Sequence, residues 1–229
     1  MSYLFYILGN ISDMRFDLHI HSNHSPDSGM DVDDILRTAV KKGLDGIAIC
    51  DHDTLTGSFH ARKRVIELNL PLLVLPGVVV STNRGHLIVL GVRENIPSGL
   101  DPQETIKIAK QKGGVVIAAH PFKIRSIGNV GGLDIDAIET FNSRCIFGEN
   151  KKAQKMAIEL NIPQVGGSDS HMLATIGSGY TEIDAQPDER SVLDAIRNGK
   201  TRPGGKAAPI HIVLLQVMRG VIRRVKKML

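Results

Sequence analysis

The stretch DLHIHS, residues 17–22, places His19 and His21 two positions apart in an apolar setting. In an extended strand, positions i and i+2 share a face, so this pair presents two imidazoles to one side. Such a pair is half of a site for zinc, manganese or iron, and it is equally what two hydrogen-bonded histidines at a strand end look like. A second stretch repeats the geometry: in GGSDSH, residues 166–171, Asp169 and His171 stand two apart. The sequence CDHDT at 50–54 adds His52 between Asp51 and Asp53. His120-Pro121 closes the apolar run Val115–Ala119, where a buried imidazole without a partner would be costly.

Each of these groups follows a strand-like run, and helix-patterned segments fill the intervals. Phe16–Ile20, Gly46–Ile49, Leu72–Leu75, Val78–Ser81, Leu87–Val92, Val115–Ala119, Ala137–Phe141 and Gln164–Gly166 read as strands. Helices are expected over Ile35–Lys42 (capped by Asp31 or Asp33), Ser58–Leu68, Pro102–Lys112, Gly148–Leu160 and Glu189–Asn198. This alternation predicts an α/β fold with a largely parallel sheet, and ligands collect at the carboxyl ends of parallel strands. A barrel with one site at its mouth follows. The roughly 185 residues involved are slightly short for eight βα units, which points to a seven-stranded or distorted barrel.

Composition narrows the classes. The chain has 229 residues, 42% hydrophobic and 23% charged, with two cysteines and nine histidines. It is too apolar for a disordered chain and too poor in cysteine for a disulfide scaffold. Cys50 and Cys145 match no metal or redox spacing, which suggests a reducing cytoplasm. No apolar run reaches the ~20 residues of a membrane-spanning helix. The net charge is +4, but Arg219, Arg223, Arg224, Lys226 and Lys227 crowd the last eleven residues without an acid, so residues 1–218 sum to −1. A general nucleic-acid-binding face is therefore not expected.

In order and spacing, DLHIHS, CDHDT, LPGVVVST, GHLIVLG, AAHP, IETFN and GSDSH resemble the PHP (polymerase and histidinol phosphatase) family of metal-dependent phosphoesterases, from about Phe16 to about Pro203. The resemblance implies a distorted (β/α)7 TIM-like barrel with up to three divalent metals (Zn, Mn, Fe or Mg) at its mouth. His19, His21 and Asp169 would hold a first metal, His86 and His120 a second, and His52 and His171 a third. Asp27 or His24 would complete the third site, Asp27 being the better match to the family's S-D-G element. The chain departs from the pattern at Val79, where the family carries a glutamate that bridges two metals. Valine cannot ligate, so fewer tightly held metals are expected unless another acid such as Glu139 serves.

The implied activity is hydrolysis of a phosphate ester, by a phosphatase or a phosphodiesterase, on a small phosphate ester, a nucleotide or an oligonucleotide end. His120, Asp51 and Asp53 are the candidates for proton handling or for orienting histidines. Lys123, Arg125 and Arg144 are the candidate phosphate-binding cations. The alternative is a catalytically weakened PHP-like domain serving as an RNA- or protein-binding subunit, which the loss at Val79 favours. His60 and His211 have no such context. The expected organisation is an N-terminal extension over 1–13, the PHP domain over 14–203, and a basic amphipathic helix over 204–229, with Pro203-Gly204-Gly205 as a linker. That helix could pack on the barrel, mediate oligomerisation or touch an anionic membrane surface.

Overall fold

The computed structural model describes residues 13–124 and 126–228, with side chains described as far as Arg223. Nine strands and six α-helices follow in order: β1 (Met14–Ile20), α1 (Val32–Lys41), β2 (Gly46–Ile49), α2 (Thr56–Glu67), β3 (Leu73–Thr82), β4 (Gly85–Leu90), α3 (Pro102–Gln111), β5 (Val115–Ala118), β6 (Ala137–Asn142), α4 (Glu149–Leu160), β7 (Gln164–Gly167), β8 (Gly179–Ile183), α5 (Glu189–Arg197), β9 (Thr201–Gly205) and α6 (Ile210–Met228). Local chemistry sets the helix starts. Asp31, Asp101 and Asp188 each accept a hydrogen bond from a backbone N–H of the first turn, and Pro102 occupies a first-turn position of α3, where its missing N–H costs nothing.

The strands lie in one sheet, ordered β7-β6-β5-β4-β3-β2-β1-β8-β9. The sheet curls until its ends meet. Ile20 pairs with Ser170, through His21 N–H to the Ser170 carbonyl at 3.0 Å and Ser170 N–H to the His19 carbonyl at 3.2 Å. The result is a distorted, nearly closed barrel. Its interior is one apolar cluster to which every strand from β1 to β8 contributes, including Phe16, Leu75, Ile88, Ile117 and Val165, and α5 packs into it with Val192 and Ile196. Two further clusters seat α1 and α2 against β1–β3, and α3 and α4 against β3–β6.

The expectation of a largely parallel sheet needs correcting. Neighbours β1–β2, β2–β3, β5–β6 and β6–β7 are parallel, whereas β3–β4, β4–β5, β1–β8 and β8–β9 are antiparallel. The cause is a hairpin. The two runs expected at 72–75 and 78–81 are one ten-residue strand, β3, which turns through Asn83-Arg84 directly into β4. Gly85 makes this turn at φ +135°, a conformation that a side chain would oppose. No described α-helix separates β3 from β4, β5 from β6 or β7 from β8, so the regular βα alternation is broken three times.

Strands β8 and β9 were not expected, and Pro203-Gly204-Gly205 is part of β9 rather than a linker. Glycine serves close approach here: a Cβ on Gly204 would sit 2.7 Å from the Tyr180 ring. The same holds beside the site. A Cβ on Gly167 would lie 2.6 Å from His19 Cβ and 2.9 Å from Glu139 Oε1. Gly167→Ala is therefore expected to destabilise the fold by about 1–3 kcal/mol, the usual cost of overpacking. Thermal denaturation of the metal-free protein would show it, and an unchanged melting temperature would contradict the tight β1–β7 contact.

Candidate metal centre

The chemically capable side chains leave the barrel strands at one end. His19 and His21 sit at and just beyond the end of β1, His52 follows β2, His86 opens β4, His120 follows β5, and Asp169 and His171 follow β7. Five described non-glycine residues have a left-handed backbone, and three of them (Asp53, His120 and Asp169) lie just after these strands. Each costs on the order of 1 kcal/mol, and such strain persists where surrounding contacts hold a side chain to a set direction. Together the side chains line a cavity of about 240 Å³.

Asp169 is the centre of the arrangement. Its buried carboxylate lies 3.8 Å from His19 Nε2, 3.6 Å from His21 Nε2, 3.9 Å from His120 Nε2 and 3.6 Å from His171 Nδ1. It also accepts from Lys123 Nζ at 2.5 Å and Arg144 Nη1 at 2.9 Å. Asp27 anchors the other side, with Oδ2 3.5 Å from His52 Nε2 and 3.4 Å from His171 Nε2. Asp27, not His24, thus enters the cavity; His24 Nε2 instead faces His60 Nδ1 at 3.2 Å.

Electrostatics holds several of these donors in the form that ligates, with His19 the exception. Burial, followed by the His171 charge, holds His21 well below the ordinary imidazole pKa. Burial and then Lys123 do the same to His120, and burial with His52 lowers His86 to about 4. Burial opposes charge on Asp169, but Arg144 and Lys123 outweigh it and keep the carboxylate ionised. Burial likewise opposes charge on His19, yet Glu139 and Asp169 raise its pKa. Neutral imidazoles and ionised carboxylates are the forms that ligate cations.

The donor set fits a divalent ion. His19 Nε2 and His21 Nε2 face each other at 3.1 Å, and the buried His21 Nδ1 has no hydrogen-bond partner among the described residues. Three groups, His19–His120–Asp169, His21–Asp169–His171 and His21–Asp27–His52, each bring their ligand atoms within 4.8 Å of one another. They overlap through His21 and Asp169 instead of forming three separate sites. His86 lines the cavity, its ring centroid 4.9 Å from that of His52, but joins none of these groups. Val79 lines the cavity too, buried and bridged to His52.

The remaining expected residues fall elsewhere. Asp51 does not line the cavity: its oxygens accept from Ser22 N–H and Ser22 Oγ, both at 2.6 Å, and burial raises its pKa to about 6. Asp53 is likewise outside, accepting the Ser81 N–H at 2.7 Å. Of the three proton-handling candidates, only His120 reaches the cavity, with Nδ1 2.8 Å from Ser126 Oγ. Lys123 and Arg144 are in place, and Arg125 lies outside the described residues. Glu139 does not stand in for the missing bridge. Its Oε1 is 2.9 Å from His19 Nδ1, and its Oε2 accepts from His120 N–H and Asn142 Nδ2, so it orients the imidazole from behind. Sequence gave no sign of this role, because the partners are 120 residues apart.

The chain matches the family profile described as "PHP domain" over residues 17–118 and the one described as "PHP-associated" over 147–201. An uncharacterized protein of Methanocaldococcus jannaschii is 36% identical over 143 residues, covering 57% of this chain and 82% of the relative. A second from the same organism is 31% identical over 193 residues, 78% of this chain and 76% of that one. Among solved structures, a two-domain protein from Bacteroides vulgatus, described as containing a predicted PHP-like metal-dependent phosphoesterase, superposes with a TM-score of 0.70 at 17% identity. The match covers 84% of this chain and 65% of that one.

Proposed function

This chain belongs to the PHP family, whose members include metal-dependent phosphoesterases, and from that premise we propose that it hydrolyses phosphate esters with divalent cations held by His19, His21, Asp27, His52, His120, Asp169 and His171, with His86 beside them. The observation that carries this reading is the Asp169 carboxylate, set among four imidazoles with Lys123 and Arg144 against it. Zinc or manganese suits imidazole–carboxylate ligation best, with iron and magnesium as alternatives. When bound, such cations supply Lewis-acid charge to phosphoryl oxygens and lower the pKa of water.

The chain's own side chains do the rest. Lys123 and Arg144 line the cavity as fixed cations and bind the phosphate oxygens of an incoming ester. Arg144 is held by Asp169 and lies 3.1 Å from His171 Nδ1, so its direction is set before substrate arrives. His120, neutral and anchored at Nδ1 by Ser126, offers Nε2 to a cation beside Asp169, and takes or returns a proton there only where no ion is held at that position. Glu139 fixes the His19 tautomer by accepting from Nδ1, which leaves Nε2 for a cation. A reducing cytoplasm is the compartment that accords with the buried thiols Cys50 and Cys145, which form no disulfide. No described helix is long and apolar enough to cross a membrane.

The test is turnover of aryl phosphates, mononucleotides and short oligonucleotides with added manganese, zinc or magnesium. Metal-dependent release of phosphate or nucleotide is expected, and removal of metal by chelation should abolish it. Glu139→Gln is expected to weaken cation affinity about 10–100-fold while leaving the fold intact. Calorimetric titration with manganese would read this, and wild-type affinity would remove Glu139 from the site. Val79 supports a second reading, a PHP-like binding subunit that has lost its chemistry. Binding of RNA or protein without turnover under any metal would favour it.

A further inference from the structure

We infer that α6 supplies the specificity wall of the cavity, making the site selective for small phosphomonoesters whose alcohol portion is apolar. The inference deepens the phosphoesterase reading and rests on it. The C-terminal helix does not trail away from the barrel. Gln216, Val217, Gly220 and Val221 line the same cavity as the imidazoles.

Side-chain contacts hold the helix in place. Gln216 is only 2% exposed, and its Nε2 donates to Thr175 Oγ1 at 2.9 Å; Thr175 in turn accepts from Ser170, the neighbour of Asp169. Gly220 brings the helix onto the Asp27 loop, where a Cβ would sit 3.5 Å from Asp27 Cβ. The Arg223 guanidinium covers Gly29 in the same loop.

The cavity then has two kinds of wall. Its floor is imidazole, carboxylate and cation. Its rim is apolar: Ile124 is 91% exposed, Val217 49% and Val221 56%. Three exposed aliphatic side chains around a charged cavity lose water when an apolar ligand group lies between them. A phosphate drawn to the floor would leave its alcohol group at this rim. Gln216 adds a polar mark, because its buried Oε1 has no donor among the described residues. A ligand hydroxyl or N–H would satisfy it. At about 240 Å³, with a helix along one side, the cavity admits one phosphate and one small alcohol group. A polymer that continues on both sides of the phosphate would have to pass over the rim that α6 and Ile124 form.

The experiment compares full-length wild type with Val221→Ser and Val217→Ser, loaded with manganese. Calorimetry measures affinity for phenylphosphonate and methylphosphonate, neither of which is hydrolysed, and steady-state kinetics compares phenyl phosphate with glycerol 2-phosphate. Wild type is expected to prefer the phenyl ligand, and each serine variant to lose about tenfold of that preference. The loss should fall in KM, with kcat for phenyl phosphate held. An unchanged phenyl-to-methyl ratio, or an equal loss for both ligands, would overturn the inference. Cleavage of circular single-stranded DNA, which has no ends, would overturn the size limit. Val217→Thr, nearly isosteric, repeats the test should a serine variant melt early. If wild type turns over no ester yet keeps the phenyl preference in binding, the wall stands and the hydrolase reading falls.

Discussion

Asp169→Asn is expected to cost the protein more than about 100-fold in cation affinity and at least about a thousandfold in turnover. Asparagine keeps the shape and one oxygen but removes the charge on which four imidazoles and two cations converge. The loss has a second face in the metal-free protein. Lys123 and Arg144 have side chains only 25% and 10% exposed, and both lose their counterion. Removing one member of a buried ion pair costs about 3–5 kcal/mol, and partial exposure of Lys123 places this case near the lower end. For a chain of this size, that corresponds to a fall of about 6–12 °C in melting temperature. Metal analysis after gel filtration and a calorimetric melt separate the two effects. A variant retaining wild-type metal content would show that Asp169 is not a ligand.

Val79→Glu is expected to act in the opposite direction on metal content. Val79 lies on β3, bridged to His52, and lines the cavity together with His52 and His86. Wild type is expected to hold fewer than three ions, since His86 joins no three-residue donor group and Glu139 is turned to His19 and the His120 N–H instead of to the Val79 position. Two closely spaced divalent ions repel strongly in a buried site unless an anion lies between them. The substitution should raise occupancy by about one ion per chain, read by metal analysis, and strengthen metal-dependent turnover. Without metal it buries a carboxylate in an apolar cluster, so the apo protein should melt earlier. Three ions per wild-type chain would sink the explanation, because the missing bridge would then have no consequence.

Much of the centre is legible in sequence because its ligands come in short local patterns. His19 and His21 share a strand face, Asp169 and His171 repeat that spacing, and His120 closes an apolar run. Strand periodicity and burial cost act over a few residues, so such patterns survive without knowledge of the fold. The choice between His24 and Asp27 shows where this ends. Both lie in one loop, and only the approach of His52 and His171 shows which side chain faces the cavity. Asp51 and Asp53 show the reverse case: their spacing suggests chemistry, yet neighbouring N–H and hydroxyl groups consume both carboxylates.

By itself the sequence determined the strand–helix alternation, the end of the strands at which polar side chains gather, and the gap at Val79, since these depend on residue type and local period. The tertiary structure alone decided the antiparallel β3–β4 hairpin, the β8–β9 extension, the support of His19 by Glu139, and the seating of α6 across the cavity. Each of these joins segments through contacts with no local signature. Glycines that read as breaks at Gly204 and Gly205 turn out to be the residues that let one strand lie against another. A missing side chain is visible in sequence, but the surface that needs it to be missing forms only when the chain has folded.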